Sequence, residues 1–85
     1  MNELHNLPNI GAYIETKLYD VHIHDEKTLR ELGSKAAFKQ MLTADDTLCI
    51  RVLYSLEGAI QGIKDSALSA ADKEDLKAYF KMITK

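Results

Sequence analysis

Between Asp46 and Lys64 the chain is apolar on nearly every side. Leu48, Cys49, Ile50, Val52, Leu53, Leu56, Ile60 and Ile63 cover more than one face of any helix drawn through them. A helix of this kind must be surrounded, because only a core or a bilayer accommodates apolar side chains all round. Arg51 and Glu57 interrupt the run, and no stretch of the chain reaches the roughly 20 uncharged apolar residues of a membrane span. The segment is therefore expected to be the central helix of a folded domain, about 27 Å long at the usual helical rise. Cys49, inside the run, is expected in the core. Gly58 and Gly62 share one side of the helix, where they would let another backbone come close.

Four further helices follow from periodicity and punctuation, and no stretch alternates apolar and polar residues long enough to favour a strand. The first spans about Ile10 to Asp20, with Ile10, Ile14 and Leu18 on one face and Pro8 and Asn9 at its start. Val21 and Ile23 then plug inward from a short connection. A second helix covers about Asp25 to Leu32, with Asp25 and Glu26 in its first turn and Gly33 at its end. Ser34 is expected to cap a third, which runs to about Leu42 with Ala37, Phe38, Met41 and Leu42 inside. Ser69 caps the last, whose acidic start (Asp72, Glu74, Asp75) and basic end (Lys77, Lys81, Lys85) complement the helix dipole. The predicted fold class is all-α: a compact bundle of about five helices in a single domain, residues 1–85.

At 85 residues the core is small, so stability has to come from well-packed helices. One cysteine makes no internal disulfide, and Met1 to Leu7 carries no basic leader, which together make a reducing cytoplasm the expected compartment. Eleven basic against thirteen acidic side chains give a net charge of −2. Proteins that grip DNA by neutralising phosphates usually show a basic excess, so the balance argues mildly against nucleic acid.

Leu7-Pro8-Asn9-Ile10-Gly11 and Leu29-Arg30-Glu31-Leu32-Gly33 share the pattern Leu-x-x-(Ile/Leu)-Gly, each ahead of a helix. The first resembles the tight turn of helix-hairpin-helix modules, in which backbone N–H groups at a helix start can hold a phosphate. Such turns carry glycine two residues before the final one. Asn9 takes that place in the first copy and tolerates left-handed geometry; Glu31 takes it in the second, where its carboxylate would repel an anion, so the second copy is expected to be structural.

With these motifs, with the run from Val21 to Leu32 followed by Gly33, and above all with Leu53-Tyr54-Ser55-Leu56-Glu57-Gly58-Ala59-Ile60-Gln61-Gly62-Ile63, the chain resembles the TfoX C-terminal domain family from about Leu7 to Phe80. The resemblance implies a helix-hairpin-helix-like N-terminal part and a role without catalytic residues. In two-domain members the module follows a separate N-terminal domain and belongs to regulators of natural competence that act with a catabolite-activator-type transcription factor. Eighty-five residues leave no room for that other domain, so a stand-alone copy is expected.

Individual residues suggest little chemistry. His22 and His24, with His5 or Cys49, do not make the paired spacings of a zinc site, and no cofactor or small-molecule substrate is expected. Glu57 has no basic partner at i−3 or i−4 and is read as exposed, with a structural hydrogen bond as the alternative. No nucleophile, base and oxyanion elements assemble, and the expected role is therefore binding and not catalysis. The candidate protein interface contains Tyr13, Tyr19 and Tyr54, with a homodimer as one form of it. The candidate DNA or anion contacts are Asn9, Gly11 and Ala12, helped by Lys17, Lys35 and Lys39. The family-like motif residues are Leu53, Tyr54, Leu56, Glu57, Gly58 and Gly62.

Overall fold

A computed structural model describes residues 4–84. All regular structure among them is helical: a 3-10 turn at Leu4–Asn6, α1 (Ala12–Asp20), α2 (Glu26–Ala44), α3 (Ile50–Gln61), a second 3-10 turn at Asp65–Ala67, and α4 (Ala70–Ile83). The expected second and third helices are thus one element, α2, broken at Gly33, whose backbone (φ 84°, ψ 162°) lies outside the helical region. Glycine alone adopts that combination without strain. Ser34 does not cap the second half as expected. Its hydroxyl, buried, donates instead to Glu57 of α3 at 2.6 Å.

Each helix begins and ends for a local reason. Asp25 is the N-cap of α2, its carboxylate accepting the Thr28 N–H at 2.8 Å, and this bond holds the Asp25 carboxyl below the ordinary carboxylate range. Ser69 caps α4 as expected, accepting the Asp72 N–H at 3.0 Å. α1 ends without a glycine. His22 enters the left-handed region (φ 66°), and the Ile23 N–H reaches back to the Leu18 carbonyl at 2.9 Å. α3 ends on Gly62 (φ 77°, ψ 27°), with the Ile63 N–H on the Gly58 carbonyl at 2.9 Å, the pattern by which a left-handed residue satisfies a helix's last carbonyls.

The central helix is shorter than expected: 12 residues, about 18 Å. Its start is delayed because the Asp45 carboxylate accepts the Thr47 N–H at 3.0 Å and also the Thr47 hydroxyl, holding a turn ahead of Cys49. Cys49 is then the extended N-cap residue of α3, and it is exposed, not in the core. Leu48 points inward from the same turn.

The core gathers side chains from the first 3-10 turn and from all four helices. Leu4, Leu18, Ile23, Leu29, Phe38, Met41, Leu53 and Leu56 are almost completely buried, and Phe38 meets Phe80 with ring centroids 5.8 Å apart. Ile10, Ala37, Leu48, Val52, Ala59, Leu68 and Leu76 complete the cluster. At roughly 1.5–3 kcal/mol for each large apolar side chain removed from water, this cluster supplies the main stabilising term. α3 packs against α2 and α4, as an apolar helix in the middle of a bundle should. No described helix is long and apolar enough to cross a membrane.

Candidate functional site

Asn9 joins the loop Leu7–Gly11 to α3, to the segment that follows it and to the start of the second 3-10 turn. Its backbone is left-handed (φ 69°), as the hairpin-like motif predicted, and this directs the side chain across the molecule. The Asn9 Nδ2 donates to the Ile63 carbonyl at 2.9 Å and to the Ser55 carbonyl at 3.5 Å, while its Oδ1 accepts the Asp65 N–H at 3.1 Å. All this happens over Gly58, where an added Cβ would lie 2.5 Å from Asn9 Nδ2 and 2.9 Å from the Ile63 carbonyl. The close approach expected of the two glycines therefore occurs at Gly58, and Gly62 serves the helix end instead. The corresponding residue of the second copy, Glu31, is helical, so the two Leu-x-x-(Ile/Leu)-Gly copies have different backbones.

Around that clamp lie the candidate contact residues. Gly11 is the N-cap of α1 in extended geometry (φ −98°), and no side chain caps the helix there; Gly11 and Ala12 are exposed. The nearest carboxylate in the first turn, Glu15, is held by the His5 N–H and faces the His5 ring, both at 3.1 Å. Lys17 forms an ion pair with Asp45 at 2.7 Å. This contact raises the Lys17 ammonium above its ordinary value, and it combines with the Thr47 bonds to lower Asp45 to about 2. Lys17 also lies 5.5 Å from the Tyr13 ring centroid. Lys35 and Lys39 lie on the second half of α2. Lys35 pairs with Asp75 at 2.6 Å, and Lys39 is exposed.

The three tyrosines separate. Tyr13 and Tyr19 are 58% and 45% exposed on α1, whereas Tyr54 is half-buried against the core. Tyr19 is part of a small aromatic group with His24, centroids 5.0 Å apart, and His24 in turn meets His22 edge-on at 6.1 Å. Among the described residues no three His, Cys, Asp or Glu side chains converge as metal ligands.

Glu57 is half-buried and occupied, not the exposed group expected of it. It accepts from Ser34 Oγ and from Gln61 Nε2, each at 2.6 Å, and Gln61 donates again to Asp72 at 2.9 Å. This chain of bonds links α2, α3 and α4 at the kink, beside a cavity of about 330 Å3 lined by Gly33, Lys35 and Asp75. Gln61 was overlooked in the sequence although it stands at i+4 from Glu57, a spacing that signals contact. Arg30 was also overlooked. It pairs with Glu26 at 2.6 Å, which the i+4 spacing signals, and it donates to the Ile60 carbonyl near the end of α3 at 2.6 Å, which no local pattern could.

The described residues thus form a helical domain with an Asn-clamped hairpin-like entry, a glycine-broken second helix and side-chain bonds that tie helices together. The chain belongs to the TfoX C-terminal domain family, whose model matches residues 1–80. It is 33% identical over 81 residues to the Escherichia coli (strain K12) protein Sxy, covering 95% of this chain and 39% of Sxy. The chain thus spans about two fifths of the length of that relative. Among solved structures, the triclinic form of an uncharacterized Listeria monocytogenes protein matches with a TM-score of 0.92 and 39% identity, over 94% of this chain and 91% of that one. The tetragonal form of a Listeria monocytogenes protein of unknown function matches with a TM-score of 0.91 and 38% identity, over 93% and 98%.

Proposed function

We propose that the chain is a non-enzymatic interaction module of the competence-regulator type, which works in the cytoplasm by binding a protein partner. The observation that carries this reading is the exposure of Tyr13 and Tyr19, 58% and 45%, on the short helix α1. Tyrosine rings give large contact area at low conformational cost, and they are enriched where proteins meet. Membership of the family and the relation to Sxy support a regulatory setting. The test is affinity capture of the tagged chain from its own cytoplasm, with and without nuclease. A partner that survives nuclease and is lost about tenfold in a Tyr13→Ala/Tyr19→Ala variant is the expected result. Capture that disappears on nuclease treatment overturns the reading.

One observation favours a second reading, weak DNA backbone binding at the hairpin: the start of α1 at Gly11 and Ala12 is exposed and carries no side-chain cap. A helix start is favourable to anions. Against it stand the engagement of the Asn9 amide and the pairing of Lys17 and Lys35 with carboxylates. Anisotropy titration with duplex DNA decides. The DNA reading expects affinity that falls steeply with salt, and absence of binding at low salt removes it.

A further inference from the structure

Between the second half of α2 and the end of α4 runs an open groove of about 520 Å3, floored by Leu32 and Ala36 and walled by Tyr79. Past Thr43 it continues into a second depression lined by Leu42 and Ile83. Along α2, Ala36, Lys39, Gln40 and Thr43 recur at i, i+3, i+4 and i+7, so they form one helical face. On α4, Tyr79 and Ile83 stand one turn apart, and the neighbouring Met82 is 63% exposed. The result is a largely apolar trough between two helices.

Its charge is specific. Two lysines, Lys35 and Lys39, line the trough and no carboxylate does, on a chain whose net charge is −2. Lys35 is held in place by Asp75 at the rim and by the Tyr79 ring, 5.6 Å from its centroid. Lys39 is exposed and has no ion pair among the described residues.

We propose that this groove docks an amphipathic helix of a partner protein whose apolar stripe is flanked by acidic residues. The proposal rests on the protein-interaction reading above and gives that partner a chemistry. A helix laid in the trough would set apolar residues at i, i+3 or i+4, and i+7 on Ala36, Tyr79 and Ile83, with carboxylates beside Lys39. A second copy of the chain presenting the same face would bring two lysine-bearing, carboxylate-free surfaces together, which is electrostatically unfavourable.

The probe is a library of helical peptides with a fixed leucine stripe and flanking positions randomised among Glu, Lys and Ser, selected on the full 85-residue chain. Enrichment of Glu over Lys is expected, and the selected peptides should shift the amide resonances of Ala36, Lys39, Thr43 and Tyr79 on the isotope-labelled chain. Lys39→Gln should weaken the acidic peptides by about 1.5- to 5-fold, the range of one exposed ion pair, and Lys39→Glu should turn the selection toward Lys. Ala36→Arg, which fills the floor, should abolish binding at an unchanged melting temperature. No enrichment, enrichment of Lys, or shifts confined to α1 overturns the proposal, as does duplex DNA shifting these amides when the peptides do not. A nuclease-resistant partner still captured after such a failure leaves the interaction module standing without this groove.

Discussion

Asn9 and Gly58 make one device out of residues that lie far apart in sequence. The amide of Asn9 satisfies backbone groups at Ile63, Ser55 and Asp65 only because position 58 has no side chain to keep it away. Two of the three atoms an added Cβ would meet are backbone, so little can yield. Gly58→Ala is expected to cost about 1–3 kcal/mol by overpacking, seen as a lower midpoint in denaturant. Asn9→Gly keeps the left-handed backbone and loses the bonds, and is expected to cost about 1–3 kcal/mol for the buried groups it leaves unpaired. Asp45 acts through charge. Its folded-state pKa of about 2 lies below its ordinary 3.8, so its contribution is complete above about pH 4 and is lost as pH falls toward 2. The melting temperature of an Asp45→Asn variant is expected to lie below that of the native chain at neutral pH, and the gap should close between pH 4 and pH 2. Of this residue-level detail, the left-handed Asn9 was legible, since asparagine stood where a hairpin turn calls for glycine. Its partners were not, because bonds across more than 40 positions leave no local spacing to read.

At the scale of elements, the sequence marked helix starts well where a cap marks them, as at Asp25 and Ser69, but it carried the central helix past Gly62, the left-handed residue that ends it. It misplaced the start of α3 because apolar residues continue through a turn that Asp45 and Thr47 hold by side-chain bonds. Leu48 is buried from that turn without being helical, so hydrophobicity alone could not separate the two. Gly33 was correctly read as a break, but as the end of one helix and not a kink inside a longer one. Its φ of 84° with ψ of 162° is a region that other residues enter only under strain. Gly33→Ala is expected to destabilise the chain by about 1–3 kcal/mol by thermal melt.

For the whole molecule, the core was the most legible part: the apolar stripes of all the expected helices converge on one cluster. Leu4 was not foreseen in it, since an isolated leucine before a proline-containing turn has no periodicity to betray it. The candidate surfaces were legible as residue types and not as places. The exposed tyrosines stayed on α1, while Tyr54 turned toward the core and Lys35 and Lys39 line the α2–α4 groove. Which face a surface side chain takes depends on the kink at Gly33 and on the packing of α4, and both are tertiary facts.

The position of Cys49 bears on how assembly of this protein should be measured. A thiol at the rim of the first turn of α3, open to solvent, can be oxidised between two copies in air, so a covalent pair would form that mimics self-association. The native chain is expected to react with a thiol reagent at full stoichiometry without denaturant, and any dimer that vanishes on adding reductant, or in a Cys49→Ser variant, was made by the storage buffer and not by the protein's own recognition surfaces.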